Sequence, residues 1–285
     1  MLRNSTIAFI GAGAMGGAIV HALLQKEFVG SGQIIAADTH EERGRMLAEK
    51  YSVQTTTDNR AAVAQADMVV LAVKPQVLPG VMTGLKGRIQ PSALVLSIVA
   101  GVPIDAIMSG LVHGSIVRAM PNTPAQIGEG ITVWMASPGV SSIQREQARM
   151  LLKALGDEVE ATHEDQLDMA TALSGSGPAY VFLFMEALVD AGVHLGFSRS
   201  VAEQLVSRTV RGSVDYYQAS LKHFARLRNE VTSPGGTSAE ALYYLEKAGF
   251  RTAISRAVWA AYQRSSALGR GRKRGESASK PEEGR

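Results

Sequence analysis

Cysteine is absent from this chain. That excludes disulfides, thiolate metal sites and a cysteine nucleophile, and it fits a reducing compartment. Histidine is sparse, with six residues and none in an HExxH-like spacing, so no metal site is expected. Charge of one sign is also lacking. The formal net charge is +3, and the stretch from Gly269 to Arg285 holds six Lys or Arg against three Glu. The rest carries 23 of each sign, so no basic folded surface for nucleic acid is expected. The tail is rich in Gly, Ser, Lys, Arg and Glu and is expected to be disordered. Long hydrophobic runs are missing too. Stretches such as 93–104 are short and interrupted, which argues against a membrane span. The opening residues lack a charged region followed by an apolar one, as a secretory leader would have. A cytoplasmic protein is the expectation.

What is present is an ordinary globular composition, 46% hydrophobic and 19% charged over 285 residues, a natural size for two domains. The first half alternates short apolar runs with helical segments. Strands are predicted at 6–10, 33–37, 68–73, 94–98, 115–118, 132–135 and 158–160. Helices are predicted at 15–26, 41–49, 60–65, 104–109 and 142–155. This alternation implies an α/β Rossmann-type doubly wound parallel sheet. After residue 163 strand patterns cease. Helices are predicted at 164–173, 178–195, 199–218, 238–247 and 251–268. The expected organisation is a dinucleotide-binding domain over 1–163, an all-α substrate-binding and dimerisation domain over 164–268, and a tail over 269–285. The helix from Pro178 is apolar nearly all round, so it is buried either in a core or in a subunit interface. Pro178 suits a first helical position, with Ser176 helping to cap it.

The first strand runs into Gly11-Ala12-Gly13-Ala14-Met15-Gly16, and a helix follows. GxGxxG alone is weak, but between the first strand and helix of a βαβ unit it is specific. Gly11 allows the turn, Gly13 lets backbone approach a pyrophosphate, and Gly16 lets helix and strand pack closely. Ile10, Ala12, Ala14 and Met15 complete the loop, and the helix N-terminus favours phosphate. Asp38 ends the second strand, where an acidic residue reads a ribose 2′-hydroxyl and favours NADH. Arg43 and Arg45 are placed to reach a 2′-phosphate instead, and Asp38 also fits as a cap for the next helix. Ala72, Val73, Lys74 and Pro75 end the strand from Met68, at the sheet edge where ligands bind. Lys74 is either a cofactor contact or a solvated lysine. Asn59 is counted with the cofactor residues.

Ser233-Pro234-Gly235-Gly236-Thr237-Ser238 precedes an amphipathic helix and has the make-up of an anion cradle. Thr237 and Glu240 fit a capping box. A second anion site beside a dinucleotide site points to a substrate carboxylate.

The segment Leu227–Glu246, the loop Gly11–Gly16, Arg118–Pro124 and Leu173–Tyr180 together resemble the pyrroline-5-carboxylate reductase family, in its order, up to about Leu268. Serine stands at 238 where that family usually has threonine. The resemblance implies reduction of 1-pyrroline-5-carboxylate to L-proline with NADPH, or NADH, by a dimer that assembles to a decamer. It implies substrate contacts from Ser176, Ser233, Gly235, Gly236, Thr237 and Ser238, with Ser238 the catalytic hydroxyl, and Met120, Asn122 and Thr123 around the nicotinamide. A β-hydroxyacid dehydrogenase would carry Gly-x-Gly-x-x-x-Lys, but Val181 stands where its lysine would be. A non-catalytic dinucleotide sensor is the alternative from another class.

Overall fold

A computed structural model describes residue 2 and residues 4–269. The tail from residue 270 on lies outside the described residues. Contacts divide the chain into two compact units: the residues up to Ser176 together with the end of the last helix from Ala261, and Gly177–Ala260.

In the first unit eight strands form one sheet: β1 (Ile7–Ile10), β2 (Ile34–Ala37), β3 (Gln54–Thr56), β4 (Met68–Leu71), β5 (Leu94–Ser97), β6 (Ile116–Met120), β7 (Gly130–Ala136) and β8 (Gly156–Glu160). Their order is β3-β2-β1-β4-β5-β6-β7-β8. The first six run parallel, while β7 is antiparallel to β6 and β8 is parallel to β7. The doubly wound, parallel-dominated sheet expected is present, with only β7 and β8 running against the other six strands. Only a short turn joins β6 to β7, and a parallel return needs a crossover of a dozen or more residues.

The central strands β1, β4 and β5 are buried along their whole length. Both faces are covered, as continuous apolar runs require. One face packs on α1 (Ala14–Gln25), α2 (Glu41–Tyr51) and α6 (Ser142–Lys153), with Phe9, Ile19, Leu23 and Trp134 at its centre. The other packs on α3 (Asn59–Val63), α4 (Leu78–Leu85) and α5 (Ile104–Leu111), around Ile10, Leu71, Leu78 and Ile107.

Three elements follow β8: α7 (Asp165–Ala170), a π-turn (Thr171–Gly175) and α8 (Gly177–His194). They join into one helical run, Asp165–His194, of 30 residues, which holds an 18-residue window of mean hydropathy 1.3. By length and composition that window passes for a membrane span, a test that a core helix of a soluble protein also passes. Pro178 falls inside this run. In a plain α-helix its ring would meet a carbonyl of the preceding turn and it would lack an N–H to give. Widening the turn ahead of it, with Ser176 N–H bonded to Thr171 O at 2.8 Å, keeps the run continuous. Ser176 has helical dihedrals (φ −85°, ψ −15°), so it continues the helix and is not the cap expected of it.

The second unit contains α8, then α9 (Arg199–Ser220), α10 (Phe224–Glu230), α11 (Thr237–Lys247) and the start of α12 (Phe250–Gly269). Its buried core is small, centred on Val189, Ala202 and Val206. Many large apolar side chains face outward, including Phe182, Leu183 and Phe184 of α8 and Tyr243 and Tyr244 of α11. Domains do not normally present so much apolar surface to water.

Candidate active site

The glycine loop lies between β1 and α1 at the carboxyl edge of the sheet. Gly11 has φ +105°, and a Cβ there would lie 2.6 Å from Ala72 O. A Cβ on Gly16 would lie 2.3 Å from Gly11 O. At Gly13 a Cβ would meet nothing within 4 Å. Two of the three glycines therefore permit close packing of protein on protein. The third leaves bare backbone toward open space, which is what a pyrophosphate needs at a helix N-terminus.

A cavity of about 720 Å³ runs along this edge. It is lined by Ile10, Gly11, Gly13, Ala14 and Met15 of the loop, by Asp38 and Asn59 at the β2 side, by Ala72, Val73 and Lys74 after β4, and by Met120 and Pro121 after β6. Most of the residues expected at the cofactor are thus brought together, and Lys74 stands in the wall. Gly16 lies beneath the loop, where it supports the turn. Ala12, Pro75, Asn122 and Thr123 are not in the wall. Asn122 Oδ1 accepts from Ile131 N–H at 3.0 Å, and Thr123 opens a 3₁₀ turn, Thr123–Ile127. These two pin the β6–β7 connection. Thr39, His40, Arg43, Val77 and Ile98 also line the cavity. Of these the sequence pointed to Arg43 alone. Ile98 could have been found as the residue ending β5 at the same sheet edge.

Asp38 is buried, with its side chain 7% exposed. Oδ2 accepts from Ala12 N–H at 2.9 Å, and Oδ1 accepts from His40 N–H at 2.9 Å. The His40 ring lies 3.2 Å from Oδ1 and the Arg43 guanidinium 3.5 Å from Oδ2. Burial pushes the Asp38 pKa up, but the His40 and Ala12 N–H groups, the His40 ring and the Arg43 charge outweigh it. The net shift is below the ordinary 3.8. The carboxylate therefore braces the glycine loop against the β2 turn. The residue that caps α2 is His40, and Asp38 fixes the turn before it.

In the second unit Ser233–Ser238 forms one tight turn into α11. Gly235 has φ +69°, and Gly236 N–H donates to Ser233 O at 3.0 Å. Gly236 is the N-cap of α11, with no side-chain cap, so the capping box expected of Thr237 and Glu240 does not form. The N–H groups of Thr237 and Ser238 belong to the first helical turn, where no carbonyl of the same helix reaches them. Gly236 also leaves room for Ser233, whose Oγ would lie 2.5 Å from a Cβ there. The turn thus gathers the two serine hydroxyls and two first-turn donors. Gly236 N–H, expected among the donors, is committed to the turn itself.

One cluster was not foreseen. Arg118, 4% exposed, donates to Glu164 Oε1 at 2.8 Å and to Asp168 Oδ1 at 2.9 Å. Glu164 Oε1 also accepts from Ile104 N–H at 2.7 Å, and Asp168 Oδ1 from Ser265 Oγ at 2.9 Å. The motif Arg118–Pro124 was the only signal for it in the sequence. Among the described residues no group of His, Asp and Glu is arranged to hold a metal ion.

Comparison with known proteins agrees with this geometry. Residues 164–268 match the family described as pyrroline-5-carboxylate reductase dimerisation, and residues 6–101 match one described as NADP oxidoreductase, coenzyme F420-dependent. The chain is 41% identical over 264 residues to a pyrroline-5-carboxylate reductase of Synechocystis, covering 93% of this chain and 98% of the other. It is 40% identical to one of Pseudomonas aeruginosa, with coverage of 94% and 98%. Among solved structures, a Plasmodium falciparum pyrroline carboxylate reductase with NADP bound aligns at TM-score 0.86 and 32% identity, covering 94% of this chain and 99% of that one. One from Coxiella burnetii aligns at TM-score 0.86 and 37% identity, covering 93% and 99%.

Proposed function

The chain belongs to the pyrroline-5-carboxylate reductase family, and from that premise we propose that it is the enzyme that reduces 1-pyrroline-5-carboxylate to L-proline, the last step of proline biosynthesis, with NADPH as donor and NADH as the alternative. The observation that carries this reading is the cavity of about 720 Å³ that runs from Asp38 past the glycine loop to Met120. Its length along the strand ends suits a dinucleotide, with the adenosine half at β2, the pyrophosphate at Gly13 and Ala14, and the nicotinamide toward β5 and β6. The bound dinucleotide supplies a hydride to the imine carbon. The chain's own residues supply placement and charge.

The loop Ser233–Ser238 holds the substrate carboxylate on the N–H groups of Thr237 and Ser238, assisted by the Ser233 hydroxyl, with Gly235 and Gly236 shaping the turn. Ser238 Oγ serves the ring nitrogen, which carries a proton in the amine product. Ser176 adds a substrate contact. Arg43 and Lys74 offer cations for phosphate, while Asp38 disfavours one close to itself. On this reading dinucleotide binding belongs to residues 1–163 and substrate binding with dimerisation to 164–268. The enzyme acts on a small molecule and assembles as an oligomer. The outward apolar side chains of α8 support a homodimer through the helical unit, and we extend this reading to a decamer in the cytoplasm.

The test is to mix the purified protein with 1-pyrroline-5-carboxylate and follow NADPH, then NADH, by absorbance while assaying proline. Oxidation that yields proline is the expected result. No oxidation with either donor, by folded protein that binds the dinucleotide, overturns the assignment in favour of a sensor.

A further inference from the structure

Arg118 and Met120 are two residues apart on β6, so they project from the same face of the sheet. Arg118 grips α7 at two points one turn apart, Glu164 and Asp168. Met120 reaches the π-turn that continues α7: a Cβ on Gly175 would lie 2.8 Å from the Met120 methyl. Met120 also lines the cavity at its β6 end. One strand thus anchors a helix with one side chain and meets the wide turn that follows it with the next. Glu164 further holds the first N–H of α5, and Asp168 takes the Ser265 hydroxyl from α12. The guanidinium sits at the centre of contacts from four elements. A planar fork with fixed donors defines such a geometry, where a lysine point charge would not.

We propose that Arg118 is a positioning residue for the reduction. It anchors α7 so that Gly175 seats the Met120 side chain, and Met120 then forms one fixed wall of the nicotinamide end of the cavity. This rests on the dinucleotide orientation proposed above. Glycine is required at 175 because the thioether occupies the place of its side chain. The paired carboxylates add a two-point polar anchor that sets the orientation of α7, which its buried Leu167 and Ala170 hold against the sheet.

The variants are Gly175→Ala, Gly175→Ala with Met120→Ala, Asp168→Asn, and the milder Ser265→Ala. Three measurements are made on each: kcat and KM for the imine, affinity for adenosine 2′,5′-bisphosphate, and the emission spectrum of bound NADPH. Gly175→Ala is expected to lower kcat roughly 10- to 100-fold, the scale of a small misplacement of reacting groups. It should shift the nicotinamide emission and leave adenosine 2′,5′-bisphosphate affinity little changed. Removing the Met120 side chain in the same protein relieves the clash but leaves the wall missing, so it should restore thermal stability without restoring kcat. Asp168→Asn should give the same pattern in its folded fraction, and Ser265→Ala a weaker one. Should Gly175→Ala and Asp168→Asn lower thermal stability while kcat and the emission spectrum stay at wild-type values, Arg118 is structural only and the proposal fails. Should the wild type fail to reduce the imine, the functional reading fails, and the emission spectra still decide the position of the nicotinamide.

Discussion

Replacing Asp38 by asparagine keeps the shape of the side chain and removes its charge and one of its two acceptor oxygens. Two backbone donors converge on that carboxylate, Ala12 N–H and His40 N–H, each at 2.9 Å. An asparagine oxygen can serve one of them. Its NH₂ must then face the other, in a buried place where water cannot substitute. A hydrogen bond to a charged acceptor contributes about 1.5–3 kcal/mol, so the variant should lose ~2 kcal/mol of stability. For a unit of this size that corresponds to a fall in Tm of about 4–8 °C. The pH dependence has a definite sign. The Asp38 pKa is lowered in the folded state, so its contribution is fully present above the unfolded value and is lost as pH falls through the folded one. Wild type and Asp38→Asn should therefore differ most at neutral pH and converge on acidification below about pH 4. The same substitution removes a negative charge beside the adenosine end of the cavity. The ratio of NADPH to NADH turnover should rise, roughly tenfold if the charge acts at ~6 Å in partly screened surroundings. Thermal melts from pH 3 to 8 and paired donor kinetics read both effects. An Asp38→Asn protein with wild-type Tm at neutral pH would refute the bracing of the loop. A donor ratio that moved toward NADH would refute the electrostatic account of cofactor choice.

Other outcomes follow from single contacts. Gly16→Ala would place a methyl 2.3 Å from Gly11 O, so α1 must shift. Melts should show a loss of about 1–3 kcal/mol, and fluorescence titration should show weakened dinucleotide binding. Ser238→Ala should lower kcat by roughly 10²-fold if the hydroxyl serves proton transfer, whereas Ser238→Thr, which keeps the hydroxyl, should stay near wild type in the same steady-state assay. Leu183→Glu puts a charge on a side chain 67% exposed in the single chain. Light scattering after gel filtration should then show smaller assemblies, since a charge in an apolar interface is disfavoured.

Much of the sheet was legible because its central strands are unbroken apolar runs. What escaped notice carries no such pattern. Gln54–Thr56 is a polar edge strand. Leu78–Leu85 contains Pro79, Gly80 and Gly84 and reads as a loop, yet Leu78, Val81 and Leu85 give it one buried face. Phe224–Glu230 is too short and too charged for periodicity to mark. The direction of β7 depends on its connection, because alternation looks the same in either sense. At the candidate site, the glycine loop and Asp38 lie close together in sequence and were read directly. The Arg118 cluster joins residues 118, 164, 168 and 265, and no local pattern links positions so far apart. The committed N–H of Gly236 was equally hidden, because a turn bond depends on dihedrals that composition does not fix.

The first unit is discontinuous: it runs to Ser176, leaves for 84 residues, and is completed by the end of α12 from Ala261. A ribosome delivers these parts in order. The sheet and α7 emerge first, then the apolar helical unit, and only then the hydroxyl of Ser265 that Asp168 awaits. The sheet can form early, since domains fold as units during synthesis, but its ion cluster stays one donor short until the segment from Ala261 has emerged. Throughout that interval the nascent chain displays the apolar face of α8.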